Sequence, residues 1–371
     1  MTSRGIALES VPVSKKGGLG MRRALAYVAL ASLFTGIFAP FCFADDRGSP
    51  SVGVLLPLSG PLSEMGKSFK RGIDLFRADH PESGVGFVLE DHKYDGKSAV
   101  TALHSLRANS EIKLVVVWGN TPSGAAAPVA EQQKLPMIAV SMNPDAKERR
   151  FVVSLGPPIK RVADKIVEQL RIGGVRQVGI VTIDIGNALK GATLIEQSFS
   201  GATIKKIVAN EEVDFKAVIS QLKTRGVDGV VLFLLPEQAL TFLKQAKQFD
   251  YSPHIVGGDV FAVESFREQA RQFTGKLNFV CGAVRPPFID RLSTTPQGTS
   301  YFFEAATGYS VAAVSAALMR RMKVADATKE PLGELKSLAV DEIPLPSLDY
   351  VEDAEFGRHF ELEVSSYPIS F

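Results

Sequence analysis

The sequence predicts an α/β protein with two doubly wound lobes, each built around a parallel sheet and joined to the other by a multi-segment hinge. The first supporting observation is a unit of buried strand, tight loop and amphipathic helix at residues 51–76, which recurs along the chain. The second is that Pro-rich stretches at residues 155–158 and 284–287 interrupt this series. Because alternating strands and helices form parallel sheets with right-handed crossovers, two separate series indicate two lobes.

The opening unit shows the pattern most clearly. Residues 52–56 form a short apolar run, as expected for a strand that is covered on both faces. Pro57 ends this run, and apolar residues then recur at three- and four-residue spacing, which predicts a helix with one buried face. Ligands of open parallel sheets bind beyond the carboxyl ends of the strands, so the loop at residues 58–64 is a candidate binding segment.

The later elements follow the same logic, since short apolar runs predict strands and apolar stripes at helical spacing predict helices. Further strands are predicted at residues 85–90, 114–118, 137–140, 151–155, 177–183, 203–209, 229–235, 254–256 and 278–284. Helices are predicted at residues 98–107, 125–133, 160–171, 188–199, 215–224, 239–249 and 301–322, the last interrupted near Gly308. An alternating pattern at residues 358–365 predicts an antiparallel edge strand.

The two Pro-rich stretches divide these elements between the lobes. We expect residues 51–154 together with 285–338 to form the first lobe, and residues 155–284 together with 339–371 to form the second. A protein with two such lobes carries its binding site in the cleft between them.

The N-terminus has the pattern of a secretory signal peptide. A basic head at residues 21–23 precedes an apolar stretch at residues 24–41, and small residues precede a polar run that begins at Asp45. This pattern predicts cleavage after Ala44, with residues 1–44 removed and Met21 as an alternative start. A transmembrane anchor is the alternative for the same stretch.

Charge and cysteine content narrow the function classes. Five of the 42 basic residues but one of the 40 acidic residues lie within residues 1–44, so the remaining chain has no basic excess to bind nucleic acid. Cys281 is the one cysteine after residue 44, which rules out an internal disulfide. Cys281 is expected to be a small buried hydrophobe, with a nucleophile as the alternative. We expect no further membrane span and a monomer.

Sequence motifs give no support for an enzyme or a cofactor. The stretch at residues 60–68 is close to a phosphate-binding loop, but it has one residue too many between its glycines, and Pro61 removes a backbone N–H. The sequence contains no GxGxxG, GxSxG, HExxH or CxxC motif, and its histidines are scattered. We therefore expect no cofactor, no metal and no catalysis. Trp118 is expected in the core, with a position lining a binding pocket as the alternative.

Three stretches carry a resemblance to a known family: VGVLLPLSGPLSEMGKSFKRGIDL from residue 52, GNTPSGAAAPVAEQQKLPMIAVSMNP from residue 119, and VDGVVLFLLPEQALTFLKQAKQFDYSPHIVGGD from residue 227. Together they resemble the type I periplasmic solute-binding proteins of ABC importers, in the branched-chain amino acid and amide group typified by Leu/Ile/Val-binding proteins. The resemblance spans residues 51–284. It implies two Rossmann-like lobes joined by three crossings, a periplasmic location, ABC permease subunits as partners, and a small polar ligand such as an amino acid, an amide or a related carboxylate.

The resemblance also implies site residues. Ser123 matches the family serine that binds a ligand carboxylate near a helix N-terminus, where free N–H groups favour anions. Asp259 matches an acid that pairs with a ligand ammonium group, and Ile185 stands where the family has a ring-stacking tyrosine. A plain N-cap is the alternative role for Ser123, and a turn or cap residue the alternative for Asp259. The predicted ligand-contacting residues are Ser59, Asn120, Thr121, Ser123, Ser141, Met142, Asn143, Asp184, Ile185, Phe233 and Asp259.

Two other functions remain open from the sequence. The same fold could act as a ligand sensor or as a regulator of an envelope enzyme, and the loss of the tyrosine at Ile185 favours such a departure from transport. An exported enzyme would require catalytic residues that only folding brings together.

Overall fold

The computed structural model describes residues 51–209, 211–273, 275–322, 332–337 and 343–369. The predicted signal peptide, residues 1–44, lies outside the described residues, so its cleavage stays a prediction.

Strands and helices alternate along most of the described chain, as their apolar patterns predict. The strands are β1 (Ser51–Leu56), β2 (Gly86–Asp91), β3 (Ile112–Trp118), β4 (Met137–Val140), β5 (Val152–Leu155), β6 (Gln177–Ile183), β7 (Ala202–Val208), β8 (Gly229–Phe233), β9 (His254–Gly257), β10 (Leu277–Gly282), β11 (Asp349–Asp353), β12 (Gly357–Glu361) and β13 (Val364–Pro368). The helices are α1 (Ser63–Asp79), α2 (Gly96–Ala108), α3 (Asn120–Gln132), α4 (Ile159–Ile172), α5 (Gly186–Ser198), α6 (Lys216–Thr224), α7 (Pro236–Gln248), α8 (Glu264–Ala270), α9 (Pro286–Ser293) and α10 (Phe302–Met322). Short 3-10 turns lie at Pro81–Ser83, Asp259–Ala262 and Gly333–Ser337.

These strands form two sheets, which confirms the predicted fold class. The seven-stranded sheet has the order β11-β12-β5-β4-β3-β1-β2, and the six-stranded sheet has the order β13-β10-β9-β8-β6-β7. Neighbouring strands are parallel except for the pairs β11–β12 and β10–β13. The strand order reverses between β1 and β3 in one sheet and between β6 and β8 in the other. Open α/β sheets bind ligands beyond the strand ends at such reversal points.

The C-terminal strands correct two details of the prediction. The stretch expected to be one antiparallel edge strand is two strands, β12 and β13, which belong to different sheets. In the predicted division, residues 339–371 belonged to the second lobe, whereas β11 and β12 join the first sheet and only β13 joins the second. The reason is that both sheets had an open edge, and β12 pairs in parallel with β5 while β13 pairs in antiparallel with β10. Residues 362–363 therefore form a third crossing between the sheets, after those at 155–158 and 284–287.

Helices α1 and α10 pack against each other at two glycines. A Cβ atom on Gly72 would lie 1.9 Å from the Ala305 carbonyl oxygen, and one on Gly308 would lie 2.0 Å from the Phe69 carbonyl oxygen. The expected interruption of the helix near Gly308 is wrong, because α10 is continuous there. Gly308 instead allows the backbones of the two helices to approach closely.

Helix α10 also differs from the expectation that no segment after residue 44 could span a membrane. Residues Phe302–Arg321 are long and apolar enough for a span by length and composition, but 94% of that segment is buried inside the protein. Its apolar side chains belong to the same core as those of α1 and β1. The helix has the burial of a core helix in a globular protein.

Candidate functional site

A cavity of about 200 Å³ lies between the two sheets. Its walls include Trp118 and Val140 at the carboxyl ends of β3 and β4, and Ile183 and Phe233 at the carboxyl ends of β6 and β8. The strand ends at the reversal points of both sheets thus face one space, which we call the interlobe cavity. An engineered apolar cavity of roughly 150 Å³ binds benzene. The interlobe cavity therefore has room for a slightly larger molecule.

Two aromatic residues of the first lobe form one wall of the interlobe cavity. Tyr94 and Trp118 both line it, and their ring centroids lie 5.9 Å apart. Gly119 has a φ of +100°, and a Cβ atom there would lie 2.5 Å from the Tyr94 ring. The absence of a side chain at Gly119 therefore makes room for the Tyr94 ring. Trp118 was expected in the core, with a position on a pocket wall as the alternative, and the structure places it on the cavity wall.

The loop after β2 holds Tyr94 in a backbone conformation that is rare for residues with side chains. Lys93 and Tyr94 have φ values of 53° and 61°. Asp91 stabilises the loop, because its Oδ1 accepts hydrogen bonds from the backbone N–H groups of Leu58 and Lys93, each at 2.9 Å. Residues held in such a conformation concentrate at functional sites.

His92 connects Tyr94 to the end of β3. The Tyr94 backbone N–H donates to His92 Nδ1 at 3.0 Å, and His92 Nε2 lies 2.9 Å from the Trp118 carbonyl oxygen. Both contacts are hydrogen bonds only when Nδ1 accepts and Nε2 carries the proton. His92 is fully buried, and burial lowers its pKa from 6.5 to about 4. The imidazole is therefore neutral at pH 7.

The start of α3 positions the loop that follows β4. Asn120 Oδ1 accepts hydrogen bonds from Ser141 Oγ at 2.9 Å and from the Met142 backbone N–H at 2.8 Å. Ser141 Oγ in turn accepts from the Asn143 backbone N–H at 3.0 Å. Asn120, Ser141 and Met142 line the interlobe cavity, whereas Asn143 does not. The side-chain amide of Asn120 therefore holds the loop after β4 in place at the cavity wall.

Ser123 lies in the core instead of on the cavity wall. It has no exposed surface, and its hydroxyl donates to the Val117 carbonyl oxygen at 2.9 Å. A hydroxyl whose proton is used in this way cannot donate to a ligand carboxylate. The N-cap of α3 is Gly119, so Ser123 is not an N-cap either.

The N-terminus of α3 faces the hydroxyl of Tyr94. Burial raises the pKa of that hydroxyl, and hydrogen bonds from the backbone of Asn120 and the side chain of Thr121 oppose the shift. Pro122, which follows, has no N–H to offer. The helix start at which an anion was expected therefore lies against the hydroxyl of a protein side chain.

The second lobe contributes an apolar wall and one acid. Ile185 and Phe233 line the interlobe cavity, and Gly191 of α5 packs against the Phe233 ring. Asp259, at the start of a 3-10 turn after β9, also lines it, and burial raises the pKa of Asp259. Asp184 is exposed and is not a lining residue.

A second acid, Glu304, lies beside Asp259. Glu304 belongs to α10, lines the interlobe cavity and is 3% exposed. Its Oε2 has no hydrogen-bond partner among the residues that the structure describes. Burial and the nearby charge of Asp259 raise the pKa of Glu304 well above its usual range. We call Asp259 and Glu304 the acidic floor of the interlobe cavity.

The structure thus brings some of the predicted site residues together and leaves others apart. The predicted residues that line the interlobe cavity are Asn120, Ser141, Met142, Ile185, Phe233 and Asp259. The predicted residues that do not line it are Ser59, Thr121, Ser123, Asn143 and Asp184. Ser59 Oγ donates to Asp91 Oδ2 at 2.6 Å, so it supports the Tyr94 loop from outside.

Sequence reasoning missed Tyr94 and Glu304. Glu304 had a usable signal, because it is a single carboxylate within the otherwise apolar start of α10. A buried charge without a structural reason often marks a functional site. Tyr94 gave no comparable signal, since it stands in a polar turn.

The sequence matches a family of known proteins. A family model described as "Periplasmic binding protein" matches residues 49–274. A curated relative, the Leu/Ile/Val-binding protein homolog 6 of Brucella abortus (strain 2308), is 28% identical over 237 residues. The alignment covers 58% of this chain and 57% of the relative, so the chain matches little more than half of that relative's length.

Solved structures share the fold. A leucine-binding protein, LivK, of Thermotoga maritima superposes with a TM-score of 0.69 at 18% identity, covering 86% of this chain and 97% of that one. The branched-chain amino acid binding protein LivJ of Streptococcus pneumoniae, in complex with isoleucine, has a TM-score of 0.70 at 17% identity and covers 86% and 99%. A solute-binding protein of R. palustris, in complex with benzoate, has a TM-score of 0.70 at 15% identity and covers 87% and 94%.

The family match therefore agrees with what the fold shows by itself. Two doubly wound lobes enclose a cavity at the reversal points of their sheets, and the matched residues include β1 to β9. This family consists of solute-binding proteins and not of enzymes, which confirms the expectation that the chain is not an enzyme. The chain belongs to the periplasmic binding protein family.

Proposed function

We propose that the chain captures a small molecule in the interlobe cavity and delivers it to the permease subunits of an ABC importer. The observation that carries this proposal is a cavity whose wall is shared by the strand ends of both lobes, in a chain of the periplasmic binding protein family. The predicted signal peptide supports a periplasmic location, with residues 1–44 removed after export.

The lining of the cavity supports a ligand with an apolar body and a positive group. Among the described residues, no Lys, Arg or His side chain lines the interlobe cavity, whereas Asp259 and Glu304 do. Of the ligand classes that the family resemblance implies, amino acids carry an ammonium group and simple carboxylates do not. Of the two ligands in the similar structures, isoleucine fits this lining better than benzoate.

Ligand capture is proposed to close the two lobes by a hinge motion. The chain crosses between the sheets at residues 155–158, 284–287 and 362–363, and these crossings are the candidate hinges. A ligand that contacts both lobes favours the closed form, because only that form offers it the full set of contacts.

A cavity-filling substitution tests the location of the site. The full chain, freed of bound ligand by refolding, would be screened by thermal shift against amino acids, amides, urea, amines and aromatic acids. A genuine ligand at 100 times its Kd should stabilise the protein by about 2.7 kcal/mol. Ile185→Trp, at the half-buried cavity wall, should abolish that stabilisation.

The matched control is Ile172→Trp, because Ile172 is 71% exposed at the end of α4 and does not line the cavity. This control should leave ligand stabilisation unchanged. An equal shift in Ile185→Trp and wild type would place the ligand elsewhere and remove the proposed site.

A second experiment tests delivery. Uptake of the identified ligand would be compared in cells with and without the gene for this chain. Loss of uptake supports import. Unchanged uptake, with ligand binding intact, would contradict delivery and favour the sensor alternative.

A further inference from the structure

We propose that the interlobe cavity selects small apolar amines that lack a carboxylate, with Asp259 as the counter-ion of the ammonium group and Glu304 as a neutral acceptor beside it. This inference rests on the proposed function and narrows its ligand class. It follows from the charges that the cavity presents, from the groups it lacks, and from its size.

The first step concerns the unpaired acids. Within the described part of the chain, neither Asp259 nor Glu304 has a salt-bridge partner, and Glu304 Oε2 also lacks a hydrogen-bond donor. A buried carboxylate without a cation is costly, because the low-dielectric surroundings do not replace its hydration. Both acids line a cavity that is open to a guest. An ammonium group placed there would supply the missing cation and the missing donors.

The second step concerns the carboxylate of an α-amino acid. Such a ligand needs donors or a positive charge for its anionic end, and the serine hydroxyl expected to serve it is already used. The Ser123 hydroxyl donates to the Val117 carbonyl oxygen, and the start of α3 lies against the Tyr94 hydroxyl. The donors that the described lining side chains still offer are neutral, such as the Tyr94 hydroxyl and the amide groups of Asn120 and Asn187. No basic side chain is among the described lining residues. A ligand carboxylate would therefore be desolvated without a positive charge to pair with, in a cavity that already holds two acids.

The third step concerns proton balance. Burial and the charge of Asp259 raise the pKa of Glu304 well above its usual range, and burial also raises the pKa of Asp259. Both carboxyl groups line one cavity with no cation between them, so a bound ammonium group favours the form in which one of them, Asp259 in this proposal, is ionised. Burial also raises the pKa values of the neighbouring Cys281 and Tyr94, which remain neutral. One carboxylate then faces one ammonium group. With a ligand of charge +1 bound, the net charge in the cavity is zero. A ligand of charge +2 would leave one positive charge without a counter-ion.

The fourth step concerns the body of the ligand. The remaining walls are largely apolar, with Trp118, Val140, Ile183 and Phe233 among them. A volume of about 200 Å³ suits a branched alkyl chain or a phenyl ring with a short linker. Burial of that body provides the hydrophobic part of the affinity, and the acidic floor provides the selectivity for the amine.

The test compares matched ligands on the same apolar body. The first series is isopentylamine, 4-methylpentanoate and leucine, and the second is phenethylamine, 3-phenylpropionate and phenylalanine. Binding to the ligand-free full chain would be measured by calorimetry at pH 7. In at least one series the amine should bind on the order of 100-fold more tightly than both the carboxylate and the amino acid.

Two isosteric variants test the roles of the acids. Asp259→Asn should weaken amine binding on the order of 100-fold, because it removes the counter-charge. Glu304→Gln should weaken it less than about tenfold, because glutamine keeps a neutral carbonyl acceptor. The control Glu237→Gln changes an exposed acid on α7 and should have no effect. Neither substitution changes the side-chain volume, so both variants should melt close to wild type. Thermal unfolding without ligand checks that a binding loss does not reflect unfolding.

The outcomes separate this inference from the proposed function. Tighter binding of leucine, phenylalanine or a carboxylate than of the amine would overturn the inference, and if Ile185→Trp abolishes that binding, the proposed site still stands. Failure of both amines to bind at 10 mM, at roughly the weak end of measurable affinity, also overturns the inference. So does amine binding that Asp259→Asn leaves unchanged.

Discussion

Replacing Gly308 by alanine is expected to destabilise the protein by about 3 kcal/mol, near the upper end of typical overpacking costs. The added Cβ would lie 2.0 Å from the Phe69 carbonyl oxygen on α1. The contacted atom is backbone within a packed helix, so it cannot move aside as the end of a flexible side chain could. Helix propensity favours alanine by roughly 1 kcal/mol, which offsets only part of this cost. Denaturant unfolding of the ligand-free protein measures the difference.

Two further glycines make the measurement specific. Gly72→Ala inserts a Cβ 1.9 Å from the Ala305 carbonyl oxygen, on the opposite side of the same helix contact, and should be as damaging as Gly308→Ala. Gly124→Ala is the control, because Gly124 lies inside α3 and its nearest outside neighbour would be 3.6 Å away. That control should be neutral or stabilising. Equal effects of Gly308→Ala and Gly124→Ala would contradict the proposed close contact of α1 and α10.

The order of strands and helices was predictable because each element has a characteristic local pattern of apolar residues. Buried parallel strands are continuous apolar runs, and the helices that cover them have one apolar stripe. Which sheet receives a C-terminal strand is not a local property. The alternating pattern of β12 fits any half-covered edge, and its pairing with β5 depends on which sheet edge lies free beside it in three dimensions. The division of residues 339–371 therefore could not be derived from the sequence.

The position of the binding site was predictable, but its polar contacts were only partly so. Topology directs ligands to the reversal points of both sheets, and the interlobe cavity lies there. The partner of a hydroxyl depends on three-dimensional neighbours, and Ser123 has the Val117 carbonyl oxygen within reach. Tyr94 reaches the cavity only because Gly119 leaves space for its ring. No sequence pattern shows that Gly119 makes room for a ring, or that Tyr94 is the residue whose ring lies there.

Acidification is expected to destabilise the protein through His92. Burial places the His92 pKa at about 4 in the folded state, against 6.5 without burial. The unfolded chain therefore binds more protons than the folded chain between these values, and stability is lost as pH falls from about 6.5 towards 4. A displacement of this size corresponds to a loss on the order of 3 kcal/mol. Denaturant unfolding at pH 7 and pH 4.5 measures most of it.

Glu304 changes the stability with pH in the opposite direction to His92, so its contribution must be removed from the measurement. Glu304 has a raised pKa, so the folded state favours its protonated form and gains stability as pH falls. The comparison is therefore best made in a Glu304→Gln background, with and without His92→Asn. Asparagine at position 92 does not titrate and can still accept from the Tyr94 N–H through an Asx turn. The pH-dependent loss should be smaller in this variant.

The pH response of His92 also reaches the interlobe cavity. A proton on Nδ1 cannot coexist with the hydrogen bond from the Tyr94 N–H, so protonation breaks the contact that holds Tyr94 in its rare backbone conformation. Ligand affinity should consequently fall only as the pH approaches about 4, where folded His92 takes up its proton, and it should fall less in His92→Asn. His104→Asn, which changes an exposed histidine on α2, is the control and should follow the parent protein. If the parent and His92→Asn lose stability equally on acidification, the neutral buried His92 is not what links the Tyr94 loop to pH.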